Sequence, residues 1–234
     1  MPATLYLFPT QLGDIDFNQI IPQFNLTLIA EIKHFIVEDI RSARRFIKKC
    51  DHSINIDELT FYVLNKHTSE ADIATFINPL IAGNNMGLLS EAGCPAIADP
   101  GADVVSIAQK NNIRVLPLVG PSSIVLALMA SGFNGQSFAF NGYLPIPDAE
   151  RLKTLKKQEG RIYSEDQTQI YIETPYRNMK TLLDIINICQ TETKLCIAAD
   201  ITLPTEYIIT KSLKFWKNNL PDLNKRPCIF VLYK

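Results

Sequence analysis

The sequence has few of the residues from which metal sites are usually built. Its three histidines, His34, His52 and His67, show no HExxH or related spacing. Its five cysteines are scattered, and no two of them form a CxxC pair. Zinc sites in proteins use closely spaced ligands of these kinds, so we expect no metal site. An odd, unpatterned set of cysteines is typical of reduced thiols, which favours a cytoplasmic protein.

The chain also lacks a charge surplus and a long apolar run. Its 23 Lys and Arg residues and 24 Asp and Glu residues leave a formal net charge of −1. Proteins that bind nucleic acid mainly through phosphates usually carry a basic surplus, so an RNA substrate would need a local basic patch. The most apolar segment, 124–130, is far shorter than the roughly 20 residues that span a bilayer. The N-terminus MPATLYLFPT has no basic region of a signal peptide, and we expect no membrane association.

The common nucleotide and hydrolase motifs are absent. The sequence contains no GxGxxG after its first strand, no GxxxxGK[ST] and no GxSxG, which argues against a Rossmann fingerprint, a P-loop and a nucleophile elbow. Eight of the 10 glycines lie between Gly83 and Gly142, and none follows Gly160. Any one of them could be an ordinary turn residue. As a group, at the ends of predicted strands, they favour a ligand cleft.

Short β-rich runs alternate with helical patterns along the chain. Strands are predicted at 4–8, 26–31, 34–39, 59–65, 87–91, 113–118, 137–145, 168–175, 194–200, 206–216 and 227–234. Helices are predicted at 40–49, 69–84, 101–111, 119–132, 148–158 and 176–190. This alternation predicts an α/β protein whose first sheet is largely parallel and whose second sheet is mixed. The Pro- and Gly-containing junction near 117–121 is the predicted boundary between two α/β domains, 1–118 and 119–234.

Charged residues follow several predicted strands. In VEDIRSARR, Glu38, Asp39 and Arg41 lie at a strand-to-helix turn. They indicate either a capped helix with a solvated basic face or a polar substrate site beside a phosphate-binding patch. That basic face carries Arg41, Arg44, Arg45, Lys48 and Lys49.

Two further motifs can also be interpreted as either structural or functional. In ETPYR, Glu173 and Arg177 are either a buried pair that fixes the domain or a pair that faces a cleft. In GLLSEAGCPAIADPG, Glu91 and Asp99 lie in a loop of small residues after a core strand. Ser122 and Ser123, after Gly-Pro at a helix start, suit caps or ligand contacts better than nucleophiles.

Taken together and in order, these motifs resemble a known family. FPTQLGD, EDIR, LLSEAGCPAIADPG, PLVGPSSIVLALMASG, FAFNGYLP and YIETPYR are similar to the motifs of the tetrapyrrole methylase superfamily, which uses S-adenosylmethionine. Within it they are most similar to the branch that methylates a cytidine ribose 2′-hydroxyl of small-subunit (16S) ribosomal RNA. The motifs depart from the usual forms in SEAGCP for SDAGTP and VGPSS for PGPSA.

The resemblance implies two α/β domains with a cofactor cleft between them, and a homodimer. It places two groups of residues near S-adenosylmethionine. Those of the first half and the junction are Leu12, Gly93, Cys94, Pro95, Ile97, Ser122 and Ser123. Those of the second half are Tyr171, Ile172, Glu173, Ala199 and Pro227.

A ribose hydroxyl is a poor nucleophile, so a nearby base or positioning acceptor would assist methyl transfer. The candidate acids are Glu38, Asp39, Glu91 and Asp99, with Arg41 able to hold a phosphate or to order the acids. Two alternatives stay open beside an enzyme that acts on ribosomal RNA or the small ribosomal subunit. One is a methyltransferase for a tetrapyrrole or another small molecule, and the other is a non-catalytic module that binds the cofactor or RNA.

Overall fold

The computed structural model describes residues 3–65 and 68–234, so His67 lies outside the described residues. The chain divides into two compact units, the first ending at Ser122 and the second comprising Ser123–Lys234. Each unit is built around its own five-stranded sheet. The domain boundary at 118/119 stays a prediction from the sequence.

The first unit alternates strands and helices. Its strands are β1 Thr4–Phe8, β2 His34–Val37, β3 Thr60–Val63, β4 Met86–Leu89 and β5 Arg114–Pro117. Its helices are α1 Gln23–Ile29, α2 Ile40–Cys50, α3 Glu70–Phe76, α4 Asn78–Ile81 and α5 Gly101–Lys110. The strand order is β3-β2-β4-β1-β5, and every neighbouring pair is parallel. The prediction of a largely parallel first sheet is therefore confirmed.

Both faces of this sheet are covered, as a parallel sheet requires. Side chains of α1 and α2, among them Ile29 and Ile47, share one core with Phe8 and Phe35 of the sheet. Side chains of α3, α4 and α5 share a second core with the opposite face of the same strands. Gly87 in β4 is needed here, because a Cβ at that position would lie 2.7 Å from the Phe35 ring.

Two predictions in this unit are wrong. The strand predicted over 26–31 is a helical segment and a turn: residues 26–29 belong to α1, whose buried residues Asn25, Leu28 and Ile29 follow helical spacing, and residues 30 and 31 form a turn. A short apolar run does not distinguish a helix from a strand by its periodicity alone. The single helix expected over 69–84 is interrupted at Ile77, and Pro79 lies in the first turn of a new helix. Proline suits that position because the missing N–H has no partner there.

The second unit has a mixed sheet, as the sequence predicts. Its strands are β6 Phe138–Phe140, β7 Thr168–Glu173, β8 Lys194–Ala199, β9 Tyr207–Ser212 and β10 Cys228–Tyr233. Its helices are α6 Ser123–Ser131, α7 Asp148–Ser164, α8 Asn178–Ile188 and α9 Leu213–Trp216. The strand order is β6-β7-β10-β8-β9, with β6 and β7 parallel and the other pairs antiparallel.

Local chemistry explains the ends of two elements in this unit. The segment 206–216, expected as one strand, turns into α9 at Ser212, whose hydroxyl oxygen accepts a hydrogen bond from the Phe215 N–H at 3.3 Å. The helix expected over 148–158 continues to Ser164, because Leu155 and Ile162 both enter the core of the unit.

Candidate functional site

The connections that leave β2 and β4 run in opposite directions from the carboxyl ends of these adjacent strands. The chain leaves β2 for β3 on one side, and it leaves β4 for β5 on the other side. Adjacent parallel strands whose connections diverge leave a crevice at their carboxyl ends, which is the usual ligand site of open α/β sheets. Glu38 and Asp39 follow β2, and the loop with Glu91 and Asp99 follows β4. The fold therefore brings these two sequence motifs to one crevice.

Asp99 organises the loop after β4. Its Oδ1 accepts hydrogen bonds from the backbone N–H groups of Ala96 at 2.8 Å and Gly101 at 2.7 Å. Ala96 and Ala98 have φ values of 64° and 61°, a left-handed conformation that alanine rarely adopts. The two amide bonds help to hold this strained backbone and the start of α5.

Three loops meet beside this crevice. Thr10 after β1 and Gly93 after β4 form a two-bond antiparallel bridge, with N···O distances of 2.9 and 3.2 Å. The thiol of Cys94 donates to the Pro121 carbonyl oxygen at 3.4 Å. Gly120 lies so close to Pro9 that a Cβ on it would be 2.3 Å from the proline ring. The loops after β1, β4 and β5 thus form one connected surface.

The structure brings together several of the residues that the resemblance assigns to the cofactor. Gly93 has a φ of +75°, and a Cβ on it would lie 3.3 Å from the Leu12 side chain. Cys94 is held in the same place by its bond to Pro121. Pro95 is buried, and Ile97 is exposed. Ser122 ends the first unit and Ser123 begins α6, both half-buried.

The candidate acids differ in their surroundings. Glu38 is half-buried, and its pKa is raised, first by burial and then by the charges of Asp99 and Glu91. Burial also raises the pKa of Asp99, against the effect of its two amide bonds. Three carboxylates close together disfavour simultaneous ionisation. This crevice therefore contains an acid group that holds its proton to a higher pH than usual.

Asp39 and Glu91 are both exposed, unlike Glu38 and Asp99. Asp39 caps α2, and its Oδ1 accepts from the N–H and the hydroxyl of Ser42, each at 2.8 Å. These bonds lower the pKa of Asp39. Arg41 is exposed on the first turn of the same helix. Within the part of the chain that the structure describes, Arg41 forms no ion pair with Glu38.

A cavity of about 490 Å³ opens beside these acids, which we call the α2 cavity. One wall is a helical stripe of α2 formed by Ser42, Arg45, Phe46 and Lys49, and Glu91 lies on the wall formed by the loop after β4. A much smaller space of about 10 Å³ lies beside Glu38 and Asp99. Val37 and Leu89 line both spaces, so they adjoin.

In the second unit, Glu173 is a buried residue whose carboxylate is fully engaged. Its Oε1 accepts from the Thr174 N–H at 2.7 Å, and its Oε2 accepts from the Thr181 hydroxyl at 2.9 Å. The Arg177 guanidinium lies 3.2 Å from the same Oε2. Arg177 also donates to the Leu144 carbonyl oxygen at 3.2 Å. Of the two readings of ETPYR, the contacts favour the buried pair that fixes the unit.

The other second-unit candidates gather at the same edge of the sheet. Cys228 of β10 pairs with Glu173 on one side and with Ala199 on the other. The Asp200 N–H donates to the Pro227 carbonyl oxygen at 3.0 Å, which ties the end of β8 to the start of β10. Ile172 is half-buried. Tyr171 points into the core, and burial raises its pKa well above the usual value.

Most of the residues that line the α2 cavity are not predicted from the sequence. The sequence motifs indicate Glu91 and the basic character of α2, but not which basic residues face the cavity. Lining residues that the sequence does not single out as site residues are Thr10, Gln11, Asp14, Ser42, Phe46 and Ser90. The i, i+3, i+4, i+7 spacing of Ser42, Arg45, Phe46 and Lys49 was the available signal, since residues at this spacing share one helix face.

Neither a metal cluster nor a membrane helix is found in the described ranges. Within 3–65 and 68–234, no three His, Cys, Asp or Glu side chains are grouped as a ligand set. None of the helices described there has both the length and the apolar composition for a bilayer crossing.

Solved structures with the same fold include two methyltransferases. The methyltransferase CobJ superposes with a TM-score of 0.65 at 13% identity, over 99% of this chain and 93% of that one. Cobalt precorrin-4 methyltransferase, a cobalamin biosynthetic enzyme, gives 0.61 at 15% identity, over 98% and 94%. At these identities the likeness shows the fold alone.

Sequence relatives are more similar. No family model matches the chain. The ribosomal RNA small subunit methyltransferase I of Vibrio cholerae is 30% identical over 204 residues, which are 87% of this chain and 67% of the relative. The protein of the same name from Buchnera aphidicola is 32% identical over 87% of this chain and 67% of its own length. That of Haemophilus influenzae is 29% identical over 99% of this chain and 79% of its own. The chain therefore belongs to the ribosomal RNA small subunit methyltransferase I family.

Proposed function

We propose that this protein is an S-adenosylmethionine-dependent methyltransferase that modifies a ribose 2′-hydroxyl of small-subunit ribosomal RNA. The observation that carries the proposal is the identity of 30% or more to ribosomal RNA small subunit methyltransferases over most of the chain. The arrangement of the site also supports the proposal, because the loops that hold the ordered sequence motifs meet at the carboxyl ends of β1, β4 and β5.

The residues of the three loops fit the proposed cofactor. S-adenosylmethionine combines an aromatic adenine with ribose hydroxyls and charged amino-acid groups, and backbone N–H and C=O groups can bind these polar parts. Gly93 offers backbone without a side chain at a place where a Cβ would contact Leu12. Leu12, Gly93, Cys94, Pro95 and Ile97 of the first unit would hold the cofactor. Ser122, Ser123, Ile172, Ala199 and Pro227 are the further proposed contacts.

Among the second-unit candidates, Glu173 and Tyr171 are not proposed to contact the cofactor directly. The Glu173 carboxylate is engaged within its own unit, and Tyr171 is directed into the core. We therefore assign them a positioning role, in which they hold the backbone of β7.

The cofactor supplies an activated methyl group, so the protein must align the acceptor and manage one proton. Glu38 is our proposed acceptor of the ribose hydroxyl proton. Its raised pKa makes it a stronger base, when ionised, than an ordinary glutamate. Asp99 keeps the neighbouring loop in shape and adds to the negative field that raises the pKa of Glu38. Asp39 positions α2, Arg41 is available to a phosphate of the RNA, and Glu91 faces the α2 cavity.

The tetrapyrrole alternative has weaker support. The solved structures that share the fold include one methyltransferase of cobalamin biosynthesis, but its identity to this chain is only 15%. The relatives at 30% or more are named for ribosomal RNA. A homodimer and a cytoplasmic location, both expected from the sequence, complete the proposal. Size-exclusion chromatography with light scattering tests the dimer.

The test is a map of ribose methylation in small-subunit RNA from cells with and without the gene. We expect one 2′-O-methyl mark to disappear and to return with the wild-type gene. An unchanged map, together with S-adenosylmethionine binding by calorimetry, would direct the search to small-molecule acceptors. Absence of cofactor binding would contradict both methyltransferase readings and leave the RNA-binding module.

A further inference from the structure

The α2 cavity has walls of opposite character. Arg45 and Lys49 make one wall basic, while Glu91 of the loop after β4 makes another acidic. The lining also includes the hydroxyl-bearing residues Ser42, Thr10 and Ser90. Its volume of about 490 Å³ falls within the range of about 300–1,000 Å³ that is usual for small-molecule sites.

The two basic residues of the cavity differ in the contacts that they form. Lys49 donates to Asp14 at 2.7 Å, to Gln11 at 3.2 Å and to the Ile15 carbonyl oxygen at 3.3 Å, so its charge is used to hold the loop after β1. Arg45 is exposed, and within the described residues it forms no ion pair. A planar guanidinium without a carboxylate partner on a cavity wall can donate to two oxygens of one phosphate.

An aromatic ring lies on the same helical stripe. Phe46 is half-buried, packs against Phe17 with ring centroids 5.3 Å apart, and lines the cavity. Bases of single-stranded RNA bind proteins largely by stacking on such rings, while phosphates bind arginine. Carboxylates accept hydrogen bonds from ribose hydroxyls or exocyclic amino groups, and Glu91 offers one on the facing wall. The lining thus matches the three parts of a nucleotide.

The cavity is distinct from the surface proposed for the cofactor. Its lining residues include none of Leu12, Gly93, Cys94, Pro95 and Ile97. It adjoins the small space beside Glu38 through the shared residues Val37 and Leu89. A nucleotide in the α2 cavity would therefore lie next to the proposed proton acceptor.

We infer that the α2 cavity binds a single ribonucleotide of single-stranded acceptor RNA, with Arg45 on its phosphate and Phe46 against its base. This inference rests on the proposed function, since it names where the RNA of that reaction is held. It also separates the basic face of α2 into two parts. Arg45 belongs to the cavity, whereas Lys48 donates to the His52 carbonyl oxygen at 2.9 Å and does not line it.

The matched pair Arg45→Gln and Lys48→Gln tests this assignment, since each variant removes one positive charge from α2. The probe is a fluorescent single-stranded oligonucleotide of small-subunit ribosomal RNA, followed by anisotropy at several KCl concentrations. Arg45→Gln is expected to weaken binding about tenfold and to reduce the salt slope by about one, while Lys48→Gln changes affinity less than about twofold. Phe46→Leu is expected to weaken binding at least about fivefold with little change in the salt slope.

The outcomes separate this inference from the proposed function. Equal effects of Arg45→Gln and Lys48→Gln overturn the inference, as does failure of the wild-type protein to bind the oligonucleotide. Weaker S-adenosylmethionine binding by Arg45→Gln in calorimetry also overturns it, because the cavity would then hold the cofactor. If the wild type binds RNA but transfers no methyl group to small subunits, the proposed function fails, and the Arg45 comparison still decides the inference.

Discussion

Glu38 and Glu173 occupy similar places in the two units and have opposite environments. Each stands at the end of a strand, and each is followed within four residues by an arginine, in EDIR and ETPYR. Glu173 is buried with Thr174, Thr181 and Arg177 around its carboxylate. Glu38 is half-buried near Asp99 and Glu91, whose charges disfavour its ionised form.

This contrast shows how similar motifs lead to different chemistry. An engaged carboxylate contributes to stability and has little freedom to react. A carboxylate near other carboxylates is destabilised when ionised, and it is reactive for that reason. Perturbed acids in a crevice are candidates for function, whereas a compensated buried pair is usually structural. We therefore propose that the chemistry lies near Glu38, whereas the ion pair of Glu173 is structural.

The largest expected effect is loss of the ion pair in the second unit. Arg177→Met leaves the Glu173 carboxylate buried without its cation, and we expect the free energy of unfolding to fall by about 3 kcal/mol. Urea denaturation monitored by circular dichroism measures it. Arg41→Met is the control, because Arg41 is exposed and a surface change of this kind costs under about 0.5 kcal/mol. Similar losses in the two variants would contradict the contrast.

The next effect concerns activity at Glu38. We expect Glu38→Gln to reduce methyl transfer to small ribosomal subunits about 100-fold, since the amide cannot accept the hydroxyl proton. Its free energy of unfolding at neutral pH should equal or exceed that of the wild type, because the variant removes an unfavourable buried charge. Transfer of labelled methyl groups and urea denaturation measure the two quantities. Full activity of this variant would exclude Glu38 as the proton acceptor.

The pH dependence of the wild type sharpens the same comparison. Because the pKa of Glu38 is higher in the folded than in the unfolded protein, the folded state binds more protons between those two pKa values. The Glu38 contribution to the free energy of unfolding therefore decreases as pH rises through this window. The rate of methyl transfer should rise over the same window as Glu38 ionises. Glu38→Gln should show neither of these contributions.

A smaller effect is expected at Asp99. Asp99→Ala leaves the N–H groups of Ala96 and Gly101 without their acceptor, so we expect a loss of about 2 kcal/mol in the free energy of unfolding. Asp99→Asn retains an Oδ1 acceptor and should lose less than half as much. Equal losses in the two variants would show that the charge, and not the two hydrogen bonds, holds the loop.

The smallest effect is expected at Cys94. Burial raises the pKa of this thiol, and the thiol donates to the Pro121 carbonyl oxygen. A threonine hydroxyl can donate to the same oxygen, so Cys94→Thr should change stability by less than about 0.5 kcal/mol and leave cofactor affinity unchanged. Calorimetry with S-adenosylmethionine checks it. A large loss of affinity would show that the thiol itself is required.

The sequence predicted the elements of this fold better than the partners of its charged residues. Regular alternation and capping residues such as Asp39 are local signals, and the strands and the helix beginning at Ile40 follow from them. The helix α1 was predicted as a strand, because a short apolar run has no distinct period. The sequence also could not show whether Glu173 is paired or faces a cleft. Its contact with Thr181, and the contact of Arg177 with the Leu144 carbonyl oxygen, exist only in the folded protein.

The most direct test of the central claim is an assay of the purified protein with S-adenosylmethionine labelled in its methyl group and small ribosomal subunits that lack the mark. Nucleoside analysis of the digested RNA then identifies the product. We expect label in one 2′-O-methylated ribonucleoside with the wild type and about 100-fold less with Glu38→Gln. Label on a base, no label in RNA, or equal labelling by the two proteins would contradict it.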